Sequence, residues 1–210
     1  YEIPKRDWSS DVCSSDLLTG VTRRTVTDKV QLPRIYLAWL TPAHFAPGDA
    51  AMDMVADALA GGKNSRLYKR LVYDMQIAQD VQAYQASQAL SSMFLIQATA
   101  RPGHTVDELM KVIDEEIARL QTQTPDAHET DRSINSIEAS FLKRIDRTGG
   151  FGGKADQLNA YFTATGNPDF FNEDLSRYRA MSPNDVRAAA ARFLPRDRRV
   201  ELTVLPEGAK

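Results

Sequence analysis

Two glycine-rich segments are candidate phosphate-binding sites, because glycine loops can cradle phosphate groups. Residues 149–154 read Gly-Gly-Phe-Gly-Gly-Lys, but Thr148 and Ala155 stand where a phosphate-binding loop needs its first glycine and its hydroxyl. Residues 150–155 also fit G-x-G-x-x-A, yet they follow a predicted helix, whereas a dinucleotide-binding loop follows a strand. The segment is therefore predicted to be a flexible turn between helices. Residues 61–65 are predicted to end one helix and begin the next.

The three histidines offer no metal-binding pattern. His44 lies in a predicted loop, and His104 and His128 lie near predicted helix starts. None has the H-E-x-x-H or H-x-x-E-H spacing of zinc enzymes, and a zinc site normally needs three close protein ligands. We interpret all three as surface or capping residues.

Acidic and hydroxyl side chains give no catalytic arrangement either. Asp114, Glu115 and Glu116 are consecutive on a predicted helix, so they spread around its axis and predict a solvated face. Three serines have no histidine at a recognisable spacing: Ser65, Ser87 and Ser140. The sequence thus predicts no catalytic, cofactor-binding or metal-binding residue in this chain.

Residues 1–17 fit the pattern of neither a helix nor a strand. They repeat Ser-Ser-Asp around Val12 and Cys13, and Cys13 is the only cysteine in the sequence. Codons for this stretch can be chosen that reproduce most of a common sequencing-library adapter. We interpret residues 1–17 as a translated adapter outside fold reasoning, so that the natural sequence starts in mid-protein; the alternative is a natural disordered tail.

Size and composition predict one globular domain. The chain has 210 residues, 42% hydrophobic and 26% charged, with a formal net charge of −2, and this length can bury a sizeable core. No run of about 18 apolar residues occurs, so we expect no membrane insertion. Cations and anions are interspersed, so we expect no nucleic-acid partner. Outside residues 1–17 the absence of cysteine excludes thiol catalysis, disulfides and thiolate zinc sites.

Alternating and helical patterns give the order of elements. Alternation predicts strands at residues 35–40, 77–87, 92–100 and 199–206, with the middle two as a hairpin. Asp49 is predicted to cap the first helix, Thr105 and Glu108 to form a capping box, and Ser182 with Pro183 to start the last helix. Helices are predicted from residues 49, 65, 105, and 125 or 126, and at 154–164, 170–179 and 183–193. This order predicts an α+β fold, with a mostly antiparallel sheet covered by helices.

Three segments together resemble the second domain of the insulinase/pitrilysin-type zinc peptidases. They are VQLPRIYLAWLTPAHFAPGDAAMDMVADALAGGKNSRLYKRLVYDMQIAQDVQAY, ATARPGHTVDEL and GGFGGKADQLN. Gly-Gly-x-x-Ser-Arg-Leu-Tyr, followed by a Leu-rich helix and a strand, is fairly specific to that family. The likeness covers about residues 25–206, and the predicted elements agree with the family's insulinase/mitochondrial-processing-peptidase-like fold.

The resemblance implies related α+β domains around a chamber that holds polypeptides in extended form. In such an enzyme, an H-x-x-E-H helix and a distal glutamate of the first domain supply the zinc ligands and the general base. None of these residues occurs here. The resemblance therefore implies a non-catalytic second domain without a cofactor of its own, inactive alone, whose partner is an upstream zinc-bearing domain.

The resemblance also indicates which half of the enzyme this domain belongs to. In the substrate-binding half, an arginine after Ser-Arg-Leu-Tyr and a tyrosine seven residues later hold the substrate near the zinc. Val72 and Gln79 stand at those positions here, with Tyr73 one residue from the arginine position. Since neither Val72 nor Gln79 can take the same part, we expect a second half or subunit to carry the Arg/Tyr pair.

One main interpretation and one alternative follow. Residues 18–206 are predicted to form the single, non-catalytic second domain of a bacterial zinc metalloendopeptidase that acts on polypeptides, and residues 207–210 to begin a linker. The alternative is a structural or assembly domain of the same family without peptidase activity. The compartment stays open, with the periplasm favoured.

Overall fold

Five strands form one sheet in the part of the chain that the computed structural model describes, residues 18–208. They are β1 (Thr22–Asp28), β2 (Arg34–Thr41), β3 (Ala78–Ala86), β4 (Ser92–Ala100) and β5 (Val200–Pro206). Their order in the sheet is β1-β5-β2-β4-β3. Only β1 and β5 pair in parallel, whereas the other three pairings of these strands are antiparallel. The predicted hairpin and the mostly antiparallel sheet are therefore confirmed.

Strand β1 was not predicted, although it forms one edge of the sheet. Its sequence, Thr-Arg-Arg-Thr-Val-Thr-Asp, has no apolar face, and all seven residues are exposed. Backbone pairing with β5, rather than burial, holds it in place. Hydrophobic alternation detects a strand only when one face is buried, so this strand leaves no such signal.

Six α-helices and one π-helix complete the described part of the chain. The helices are α1 (Asp49–Ala60), the π-helix (Tyr68–Asp74), α2 (Val106–Thr122), α3 (Ala127–Asp146), α4 (Lys154–Thr165), α5 (Phe171–Arg179) and α6 (Pro183–Phe193). Two of the three predicted caps are confirmed, since Thr105 with Glu108 and Ser182 with Asp185 form capping boxes. The helix predicted near residue 65 is present but π-helical, and Met75 N–H bonds to the carbonyl of Arg70 five residues back.

The helices cover one face of the sheet. Alternate residues of β2 and β4 point to this face and are almost fully buried, and they pair across the strands as Leu37 with Ile96 and Trp39 with Phe94. The Trp39 and Phe94 rings meet edge to face, 6.2 Å apart. Burying each large side chain of this kind stabilises the fold by about 1.5–3 kcal/mol, so these two strands anchor the sheet side of the core.

Helix α1 carries a stripe of three aspartates, Asp49, Asp53 and Asp57, that faces the helical layer. Their spacing of four residues places them on one side of the helix. Asp53 accepts a hydrogen bond of 2.7 Å from the Tyr178 hydroxyl on α5, and Asp57 accepts one from Ser133 on α3. These bonds fix the positions of α3 and α5 against α1.

Asp49 does not cap α1, so that prediction was wrong. Gly48 is the N-cap residue, and the Asp49 carboxylate is only 1% exposed. It accepts hydrogen bonds from the Phe45 amide at 3.0 Å, the Ser87 hydroxyl at 2.7 Å and the Arg177 guanidinium at 3.1 Å. The carboxylate therefore joins the loop before α1, the end of β3 and helix α5.

Replacing Asp49 with alanine is expected to lower the free energy of unfolding by about 1–3 kcal/mol, because the partly buried Arg177, whose side chain is 20% exposed, loses one of its two carboxylate partners. Urea denaturation at pH 7 measures this change. The control is Asp131→Ala, which removes an exposed carboxylate of α3 and should cost no more than about 0.5 kcal/mol. Equal, small changes in both variants would contradict the structural role of Asp49.

The Asp53 carboxyl is expected to make the free energy of unfolding depend on pH. Burial raises the pKa of its carboxyl from 3.8 to about 6, and the Tyr178 hydrogen bond only partly opposes this. Because the folded pKa exceeds the unfolded one, the folded state binds more protons between these values, and stability falls as pH rises from about 4 to about 6. The fall from this group should reach at most roughly 3 kcal/mol.

The Asp53→Asn variant is expected to lose this pH-dependent fall, because asparagine can still accept the Tyr178 hydrogen bond without ionising. Urea denaturation of both proteins at pH 4, 5, 6 and 7 makes the comparison. Asp131→Asn, at an exposed position, should retain the wild-type slope. Parallel stability curves for wild type and Asp53→Asn would show that the buried carboxylate does not cause the pH dependence.

Candidate functional site

The second face of the sheet is a surface that the helices of the described residues, 18–208, leave uncovered. Side chains of β2 and β4 that point away from the core are half-buried and alternate with the fully buried ones, except that Thr99, near the end of β4, is 5% exposed. Strand β3 contributes exposed or half-buried residues to the same face. We call this surface the open face and define it by its cross-strand rows of paired residues.

One end of the open face is polar. Arg34, Thr99 and Asp80 lie side by side on β2, β4 and β3. Arg34 Nε donates to the Thr99 hydroxyl at 2.8 Å, and that hydroxyl donates to Asp80 at 3.1 Å. Arg34 also reaches the Tyr36 hydroxyl at 3.4 Å, and this contact raises the pKa of its guanidinium. The row is thus a charge-balanced, hydrogen-bonded ladder.

The next row is neutral. Gln82 and Gln97 pair across β3 and β4, and Gln97 Nε2 donates to Gln82 Oε1 at 3.0 Å. Tyr36 lies beside Gln97 on β2. These amides and the phenol can exchange hydrogen bonds with a peptide backbone.

The other end of the open face is apolar. Leu95 lies between Ala38 of β2 and Tyr84 of β3, and Met93 is paired with Leu40. Tyr84 is 42% exposed. Apolar side chains gathered on an uncovered surface of this kind are typical of an interaction site rather than of a face meant for water.

Strand β3 adds a free edge beside the open face. It is the last strand in the sheet order, so one side of its backbone is left for pairing with another chain. An extended polypeptide that pairs there would present alternate side chains to the open face. No nucleophile with a paired base lies on this face, so the arrangement can hold a peptide but offers no groups to cleave it.

The positions that the family resemblance singled out lie at the base of this edge. Val72, in the π-helix, packs against the core, whereas Tyr73 is 74% exposed. Gln79 is exposed and lies at an irregularity in the pairing of β3 with β4, between Ala78 and Asp80. That a second half supplies the Arg/Tyr pair stays a prediction.

The three histidines lie apart. The His44 ring stacks on Phe45 with centroids 3.7 Å apart, His104 Nδ1 is 3.5 Å from a Glu108 oxygen, and His128 is exposed at the start of α3. Within residues 18–208 no three His, Cys, Asp or Glu side chains are grouped so that they could hold a metal ion.

The prediction of a solvated acidic face at residues 114–116 was wrong for two of its three members. Glu116 is 2% exposed and accepts hydrogen bonds from Arg70 at 2.9 Å and Arg119 at 3.1 Å. Asp114 is paired with Arg199, whose side chain is 3% exposed. Arg70 and Arg199 are distant in sequence, so nothing in the local pattern could reveal these ion pairs. Glu115 and Glu116 converge on the same guanidinium, that of Arg70, so only Asp114 lies apart as predicted.

The three serines make structural hydrogen bonds. Ser65 donates to the carbonyl of Gly62 at 2.6 Å, Ser87 donates to Asp49, and Ser140 donates to the carbonyl of Ser136 at 3.0 Å. Residues 149–153 connect α3 to α4, so the prediction of a turn between helices is confirmed. Residues 1–17 and the end of the predicted linker, residues 209 and 210, lie outside the described residues.

Comparisons with known proteins agree with this fold. Residues 4–137 match the family model of the Peptidase M16 inactive domain. An uncharacterized zinc protease of Streptomyces coelicolor is 25% identical over 155 residues, which are 74% of this chain and 32% of that protein. The chain therefore spans about a third of the length of this curated relative.

Two solved structures show the same architecture. A protease from Helicobacter pylori matches 89% of this chain and 45% of its own, with a TM-score of 0.80 and 19% identity. A peptidase M16 inactive domain from Pseudomonas fluorescens matches 91% of this chain and 45% of its own, with a TM-score of 0.75 and 16% identity. Within residues 18–208 of this chain, no helix is long and apolar enough to cross a membrane. The family match over more than half of the sequence, together with this fold, shows that the chain belongs to the M16 peptidase family as its inactive, non-catalytic domain.

Proposed function

We propose that this domain forms part of the wall of a peptide-binding chamber in a larger zinc endopeptidase, with the open face towards the bound polypeptide. The observation that carries the proposal is the uncovered sheet face, which changes from a polar ladder at Arg34 to an apolar end at Leu95. Such a surface offers hydrogen bonds to backbone amides and apolar contacts to side chains within one strand length.

Zinc belongs to the companion domain in this proposal. The three histidines of this chain lie on different elements, and the buried carboxylates Asp49 and Glu116 are already bonded to arginines. The residues present therefore do not fit a catalytic metal site, which needs three converging protein ligands and an open position. Hydrolysis would take place on the companion, and this domain would bind and orient the peptide.

The partners in this proposal are an upstream zinc-bearing domain and a second half with the Arg/Tyr pair. Support comes from the family, in which this domain is the inactive one, and from the relatives, which are two to three times as long as the matched part. The alternative, an assembly domain without peptidase activity, would use the same fold but would not depend on the open face for turnover.

The isolated chain is expected to show neither peptidase activity nor tight zinc binding, because it lacks converging ligands. Hydrolysis of an internally quenched peptide and zinc content after dialysis measure the two properties. Activity that survives purification and is abolished by a chelator would contradict the proposal.

In the complete enzyme, Leu95→Arg is expected to reduce kcat/KM for a quenched peptide at least tenfold, because a charge would replace an apolar contact at the apolar end of the open face. Zinc content and melting temperature should stay close to wild type. Asn135→Arg, at an exposed position of α3, is the matched control and should leave kcat/KM unchanged. Unchanged turnover in Leu95→Arg, or an equal loss in both variants, would contradict a chamber role for the open face.

A further inference from the structure

The hairpin of α3 and α4 exposes an unusual concentration of large apolar side chains. Leu142, Phe151, Leu158 and Phe162 are 49%, 97%, 45% and 59% exposed. Of the ten large hydrophobic residues that are exposed among the described residues, these four lie within a stretch of 21 residues. Tyr161 is the only buried residue of α4, so most of the surface of this helix does not face the core.

Phe151 is held at the tip of the hairpin rather than left loose. The turn is closed by backbone hydrogen bonds from Lys154 to the carbonyl of Arg147 at 2.7 Å and from Ala155 to that of Thr148 at 3.2 Å. Gly152 N–H also donates to the Asp156 carboxylate at 2.8 Å. Gly150 and Gly152 have φ values of 82° and 73°, which other residues rarely adopt. The turn therefore presents the Phe151 ring to the outside.

Four exposed cations accompany these apolar residues: Lys143, Arg144, Arg147 and Lys154. None forms a salt bridge with any residue between 18 and 208. Arg144 instead lies over the Phe141 ring, 5.1 Å from its centroid. With the acids Asp146 and Asp156, the stretch from residue 142 to 162 has a net charge of +2, although the whole chain has a net charge of −2.

We propose that the α3–α4 hairpin binds the surface of an anionic lipid membrane, with the Phe151 ring inserted at the headgroup level. A convex tip with an aromatic ring and flanking, unneutralised cations is complementary to a negatively charged interface, where each cation near the surface adds to binding. The domain lies on such a membrane and does not span it. This inference is independent of the proposed chamber role, because the hairpin is remote in sequence from the strands of the open face.

A membrane explains these features better than a protein partner does. Protein partners bury hot-spot side chains in well-packed pockets, whereas two grooves of this domain lie away from the hairpin, between α2 and the segment before β5 and between the π-helix and the start of α3. A lipid interface needs no preformed groove, and it satisfies four cations at once.

The test is co-sedimentation of the chain with vesicles of phosphatidylglycerol and phosphatidylcholine in equal parts, at low salt. Wild type is expected to sediment with these vesicles and to stay in solution with pure phosphatidylcholine. Salt at 0.5 M shortens the electrostatic screening length to about 4 Å and should therefore release the chain from the anionic vesicles. Phe151→Ser is expected to weaken vesicle binding at least tenfold. Arg147→Glu combined with Lys143→Glu should weaken it at least as much.

Leu90→Ser is the matched control, because Leu90 is 67% exposed on the β3–β4 connection, away from the four cations. It should bind vesicles like wild type. Phe151→Trp should retain binding, and its fluorescence should shift to shorter wavelength with anionic vesicles only. The proposal is overturned if wild type does not sediment with anionic vesicles or if Phe151→Ser binds like wild type. It is also overturned if the hairpin instead mediates self-association, seen by ultracentrifugation without vesicles and lost in Phe151→Ser.

Discussion

The buried carboxylate of Asp49 is the interaction that ties the helical layer to the sheet. It receives hydrogen bonds from the loop after β2, from Ser87 at the end of β3 and from Arg177 of α5. Arg177 in turn donates to Asp174, which accepts a bond from Tyr161 of α4. These groups form hydrogen bonds with one another instead of with water. Helices α1, α4 and α5 are therefore held on one side of the sheet, and the other side is left free.

The proposed chamber role depends on this one-sided arrangement of helices on the sheet. A sheet with helices on one face has to leave its other face to water or to a partner, and here the free face alternates between hydrogen-bonding and apolar rows. The family model that matches this chain describes an inactive domain. Within residues 18–208, no three His, Cys, Asp or Glu side chains are grouped so that they could hold a metal ion. In the proposed role, the domain would contribute surface and shape to a larger enzyme, and the chemistry would take place on another domain.

The sequence was most informative where the signal is local. The capping box of Thr105 and Glu108, the β3–β4 hairpin and the turn at residues 149–153 follow from spacings within a few residues, and the structure contains all three. Strand β1 was not predicted because an exposed edge strand needs no apolar alternation. Asp49 and Glu116 were misjudged because their arginine partners are 128 and 46 residues away, and only the folded topology brings them together. The open face could not be recognised either, since alternation shows that a strand has two faces but not which one stays uncovered.

The most direct test of the central claim is to sequence the genomic DNA on the amino-terminal side of the codon for Leu18. We expect a reading frame that continues into a related domain with an intact H-x-x-E-H helix within about 150–200 residues. A related domain whose helix lacks these ligands would contradict the peptidase assignment and favour the assembly role. A genomic frame that begins with the residues Tyr1 to Leu17 themselves would contradict the adapter interpretation and, with it, the expected upstream zinc domain.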